Sequence, residues 1–163
     1  MRQRPGAVAA ALIGAAALAL IWPVMSCASW AAGLLTERIR GEPVDTIAHE
    51  TLRQLARSPP GAWLAVMSAL VVFAVPVLEE IMYRGLLQRA IAALNFGRST
   101  AILIASAIFV TMHLGTVAVH ALPALLILSV GLGWAYERTG RLAAPIVMHM
   151  LFNALNLWLA RSW

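Results

Sequence analysis

The stretch from Ala62 to Gly85, AWLAVMSALVVFAVPVLEEIMYRG, decides how the rest of the chain is read. From Ala62 to Leu78 it carries no charge, and then two carboxylates, Glu79 and Glu80, follow directly. A carboxylate placed in hydrocarbon costs several kcal/mol, so a pair at this depth requires partners or a water-filled cavity. On a helix Glu80 and Arg84 are four apart with the acid N-terminal, the favourable order for an ion pair on one face. Glu79 is turned about 100° away from Glu80 and lacks that partner. Three more polar groups, His113, His149 and Asn153, interrupt other apolar runs.

Working outward, the composition is that of an integral membrane protein. Hydrophobic residues make up 61% and charged residues 12% of 163 residues, with a mean hydropathy of +0.82, whereas soluble domains are about a quarter charged. The formal charge is +5. The basic residues, all Arg, are scattered at the ends of apolar runs without a nucleic-acid motif, so they point to membrane orientation and no nucleic acid is expected as a partner. A single Cys27 excludes an internal disulfide.

In chain order, residues 1–61 read as an N-terminal transmembrane helix and a polar loop, and residues 62–163 as the functional core. The first run, Ala7 to Trp30, reads as a retained span; a signal peptide, or a lipoprotein signal at Val24-Met25-Ser26-Cys27, is the alternative. The loop from Thr36 to Pro60 is charge-balanced, with a short helix expected from Val44 to Arg57 whose Ile47, Leu52 and Leu55 face the membrane surface. A second span runs from Ala62 to the Glu pair, with Pro76 freeing a carbonyl one turn before it. Ile81 to Leu94 has the spacing of an amphipathic continuation of that helix into the interface, closed by Gly97 with Ser99 as the next N-cap. Further spans are expected from Thr100 to Val117, from Leu122 to Glu137, where Gly131 and Gly133 permit close approach, and from Leu142 to Leu159. The expected fold is all-α, a polytopic bundle of about five transmembrane spans plus an amphipathic interfacial helix. Placing the N-terminus in the cytoplasm puts Arg2, Arg4, Arg84, Arg89, Arg98, Arg138 and Arg141 inside against Arg38, Arg40, Arg53, Arg57 and Arg161 outside, the arrangement the positive-inside rule favours. The Trp residues at 22, 30, 63, 134, 158 and 163 read as interfacial anchors.

Phe109 and His113 are four apart, as are His149 and Asn153, so each pair shares a helix face that lipid cannot satisfy. Three helices then deliver a carboxylate, two imidazoles and an amide to one interior cavity, a set able to activate water and stabilise an oxyanion. At ~1.5 Å per residue, His149 lies ~10 Å into its span and His113 ~20 Å from Ser99, so straight helices would not bring both to a Glu79 at the inner end of its span. Tilt, a kink at Pro76 or a later helix start is needed.

Three ordered motifs carry a resemblance. Glu79 to Arg84 matches E-E-x-x-x-R, Phe109 to His113 matches F-x-x-x-H, and His149 to Asn153 matches H-x-x-x-N. Over about Ala62 to Leu157 the chain resembles the CPBP family, the CAAX-processing and bacteriocin-processing membrane endopeptidases also called Abi proteins, which includes the eukaryotic Ras-converting enzyme. The resemblance implies an intramembrane endopeptidase of the CAAX-processing type. In it Glu79 and His113 deprotonate the attacking water and His149 with Asn153 binds the oxyanion, while Glu80, Arg84 and Phe109 play supporting parts. Metal-free catalysis without a cofactor is favoured; zinc, held by Glu79, His113 and His149, is the alternative. The expected partners are a peptide or protein substrate in or at the membrane and the lipid bilayer, and the expected location is the bacterial inner membrane. A noncatalytic scaffold or bacteriocin-immunity factor on the same fold is the rival reading; a small transporter is disfavoured because no inverted repeat is apparent. His120 and Asn156, outside the motifs, are read as structural.

Overall fold

The computed structural model describes residues 4–45 and 47–162, so Arg2 and Trp163 of the charge and anchor readings lie outside the described residues. The fold is an all-α membrane helix bundle. Its helices are α1 (Ala7–Arg40), α2 (Glu50–Arg57), α3 (Ala62–Ala93), α4 (Arg98–Met112), α5 (Leu122–Thr139, entered by a 3-10 turn at Val119–Ala121) and α6 (Ala143–Ser162). Helices α1, α3, α5 with its entering turn, and α6 are long and apolar enough to cross a membrane. α4, at 15 residues, is ~22 Å long against a hydrocarbon core of ~30 Å. The span expected to reach Val117 instead stops at Met112, with His113 as its C-cap.

α1 packs lengthwise against α5 and α6, and α4 against α5. The α1–α6 crossing is the tightest: a methyl added at Gly14 would stand 2.1 Å from the Ala144 carbonyl oxygen. Gly131 plays the small-residue part expected of it, since a methyl there would stand 2.8 Å from Ile21 Cδ1. The core gathers Leu18, Met25, Phe109, Leu128, Leu132 and Met148. Large apolar side chains such as Leu20, Trp63, Phe73 and Leu86 face outward, as lipid contact requires. Trp22 is not an anchor at a span end; it packs on Phe152, with ring centroids 6.1 Å apart.

Three local expectations change. The stretch from Ile81 continues α3 to Ala93 as expected, but instead of lying in the interface it buries Tyr83, Arg84, Gln88 and Ile91. The separate amphipathic helix is α2, and its Leu55 is buried with Val72 and Leu157 against the bundle, with Leu52 packed alongside. Gly97, with φ 79°, starts α4 as its N-cap while Asn95 takes the left-handed conformation after α3, and Ser99 lies inside α4.

α3 is not uniform. Leu70–Ala74 and Ile81–Gln88 are π-helical, on either side of a short α-helical turn, Val75–Glu80, that carries the carboxylate pair. The first π turn follows from Pro76. The Val75 N–H bonds to the Leu70 carbonyl, and the next nitrogen, that of Pro76, has no hydrogen to give the Val71 carbonyl. That carbonyl accepts from the Asn153 side chain of α6 instead, at 2.9 Å.

Candidate active site

The carboxylate pair faces two environments. Glu80 is fully buried: its Oε1 accepts from Arg84 Nη1 at 3.0 Å and from His149 Nδ1 at 2.8 Å. The four-residue spacing formed the expected ion pair, and the imidazole of α6 joins it. Arg84 in turn donates through Nη2 to the Ser129 carbonyl, 3.0 Å, and hydroxyl, 2.7 Å, and its guanidinium lies 4.9 Å from the Phe109 ring centroid. Glu80 and Arg84 therefore bind α3, α4, α5 and α6 together around one buried charge pair.

Glu79 points elsewhere and keeps 24% of its side chain exposed. Its Oε1 is 4.0 Å from His113 Nε2 and its Oε2 is 3.7 Å from His149 Nε2. Both separations exceed a direct hydrogen bond. The feared mismatch in depth is absent because α3 runs on to Ala93: Glu79 lies ~21 Å from that end, level with His113 ~22 Å along α4.

Hydrogen-bond partners set the imidazole protons. His113 Nδ1 lies 2.7 Å from the Phe109 carbonyl oxygen, which only accepts, so Nδ1 carries the hydrogen and the neutral ring presents a bare Nε2 to Glu79. Phe109 thus acts through its carbonyl as well as by packing its ring 4.5 Å from that of His113. His149 donates Nδ1–H to the Glu80 carboxylate, so its Nε2 bears a hydrogen only when the ring is doubly protonated. Asn153, one turn beyond His149, spends one amide hydrogen on the Val71 carbonyl, which leaves one.

Sequence spacing missed three side chains that bear on the site. Ser129 and Gln88 are fully buried polar residues; the sequence signal for Ser129 is a lone polar position in an apolar run, and for Gln88 its four-residue step from Arg84. His49 is the third. It pairs with Val117 through a backbone bridge, its Nδ1 accepts from the Thr51 N–H at 3.2 Å to cap α2, and it sits over the turn that follows His113. Burial pushes the His49 imidazole below its ordinary pKa, the nearby His113 adds to this, and Glu50 partly offsets it. His120 is buried in the 3-10 turn, and Asn156 bonds its own helix at Phe152, as structural residues do.

Zinc would need Glu79, His113 and His149 to converge on one point. Each oxygen of Glu79 faces a different imidazole, and among the described residues no three His, Cys, Asp or Glu side chains form a group able to hold a metal ion. Two cavities, of about 180 and 450 Å³, lie beside Gly115, Val117 and Ala118.

In comparison with known proteins, the model of the family described as type II CAAX prenyl endopeptidase Rce1-like matches residues 61–155, more than half of the chain. Neither a curated protein nor a solved structure matches it. The matched region contains all of the residues that meet at Glu79.

Proposed function

Because the chain belongs to the type II CAAX prenyl endopeptidase Rce1-like family, we propose that it is an intramembrane endopeptidase that hydrolyses a peptide bond with water activated by Glu79 and His113. The observation that carries this reading is the pair of acceptors, Glu79 Oε1 and the bare His113 Nε2, 4.0 Å apart. One water fits between them and donates a hydrogen to each, which turns its lone pair outward towards a substrate carbonyl. As the water attacks, its proton passes to Glu79, and Glu79 then delivers it to the departing amide nitrogen. The developing oxyanion takes the second amide hydrogen of Asn153, with the His149 ring beside it. Glu80 supports this by accepting His149 Nδ1–H, and Arg84 balances its charge. No step passes through a metal or a cofactor.

The substrate class that suits the site is a peptide or lipid-anchored protein presented from the bilayer. The proposed location is a bacterial inner membrane with a cytoplasmic N-terminus. Arg4, Arg89, Arg98, Arg138 and Arg141 gather at the end of the bundle where α1 starts, with Glu137 as their neighbouring acid.

The test is purified protein in lipid with a membrane-peptide library, scored by mass spectrometry. Glu79→Gln keeps the shape and removes the base, so cleavage should fall at least a thousandfold with the unfolding temperature unchanged, and a chelator should leave the parent's rate intact. A Glu79→Gln protein that works as well as the parent in cells would establish the scaffold or immunity reading instead.

A further inference from the structure

α3 and α5 share a polar seam that leads away from Glu79. On α3, Glu80, Arg84 and Gln88 recur every four residues and all are buried; on α5 they face Ser129, Gly133 and Glu137, also four apart. Gln88 Nε2 donates to the Gly133 carbonyl at 3.3 Å and to Glu137 Oε1 at 3.1 Å. Glu137, partly exposed, lies 3.7 Å from the exposed Arg98. The seam therefore runs from the His149-bound carboxylate of Glu80 to the arginine-rich end of the bundle.

Two acceptors along it, Glu80 Oε2 and Gln88 Oε1, have no hydrogen-bond partner among the described residues, and both side chains are 0% exposed. Turning the Gln88 amide over does not help, because its oxygen would then meet the Gly133 carbonyl and the Glu137 carboxylate, both acceptors. Protonating Glu80 only replaces an unmet acceptor with an unmet donor. Lipid offers neither, and orphaned buried acceptors are where internal water is held. Gly133 lets Gln88 and Ile102 come close to α5: a methyl there would stand 2.8 Å from Gln88 Oε1 and 3.0 Å from Ile102 Cγ2.

We propose that the α3–α5 seam is a hydrated passage, with water bound at Glu80 Oε2 and Gln88 Oε1, that resupplies the Glu79 site from the end bearing Arg98 and Glu137. Resupply rests on the hydrolase reading: each turnover consumes one water, and a bound peptide covers the side on which Glu79 is exposed. The presence of water in the seam does not rest on it.

Radiolytic hydroxyl labelling, which marks side chains touching bound water, tests the passage in the intact protein in lipid. Ile102, at the seam, and Leu18, in the core on α1, are both buried. Ile102 should label at least tenfold faster than Leu18. Gln88→Met should bring Ile102 down to the Leu18 rate and lower turnover at saturating peptide at least tenfold, without lowering the unfolding temperature. Gly133→Ala, which narrows the seam at the same level, should act in the same direction. Equal labelling of Ile102 and Leu18 in the parent overturns the passage. Full turnover in a Gln88→Met protein that has lost the label overturns resupply. Fast, Gln88-dependent labelling in a protein that cleaves no peptide upholds the hydrated seam and overturns the hydrolase reading alone.

Discussion

At the scale of single residues, adjacent carboxylates of the same type are given different work by what surrounds them. Glu80 is wholly enclosed with Arg84 and His149, while Glu79 stands between two imidazoles with part of its side chain open. The four-residue spacing of Glu80 and Arg84 could be read from the sequence, and so could the reason for it. The bond from Glu80 to His149 could not, because spacing reports neighbours on one helix and is silent on how two helices are rotated against each other. Removing one member of a buried ion pair leaves the other charged and unpaired. Arg84→Met is therefore expected to cost about 3–5 kcal/mol, and the double change with Glu80→Gln to recover part of it. Chemical denaturation in detergent measures both.

At the scale of elements, α3 owes the first of its two π turns to one proline. Pro76 leaves the Val71 carbonyl free, and Asn153 takes it. The freed carbonyl was legible in the sequence; its partner, on a helix far along the chain, was not. Pro76→Ala restores a backbone donor in register with Val71. The expected outcome is a more stable α3 but about tenfold lower turnover, as Asn153 loses its anchor; unfolding curves and rates on the same samples would show the two effects moving in opposite directions. α2 makes a second prediction. Its cap is the His49 Nδ1 lone pair, and the folded protein holds that imidazole below its ordinary pKa. The unfolded chain then binds the proton more readily, so stability is full above the ordinary value of 6.5 and declines as pH falls from there through the lowered folded pKa. His49→Asn keeps a capping oxygen without the titration. Melting temperatures measured from pH 8 to pH 5 should drop further in the parent than in this variant.

At the scale of the whole molecule, hydropathy and the three motifs were enough to give an all-α bundle with the site between its helices, since lipid forces polar side chains inward. Helix length was less legible. An apolar composition continues from Thr100 past Met112, yet the chain turns at His113, where the ring bonds back to Phe109 and the following loop bonds to Ala48 and Glu50. Those are contacts between distant segments, which no local pattern announces. The early stop of α4 also has a mechanical consequence. A bilayer whose acyl chains match the long helices must deform beside this one, and hydrophobic mismatch of that kind costs fractions of a kcal/mol per Å. Hydrolysis should therefore be faster in thin vesicles, made from lipids with fourteen-carbon chains, than in thick ones with twenty-two-carbon chains. The protein would then be tuned by the thickness of the membrane it occupies.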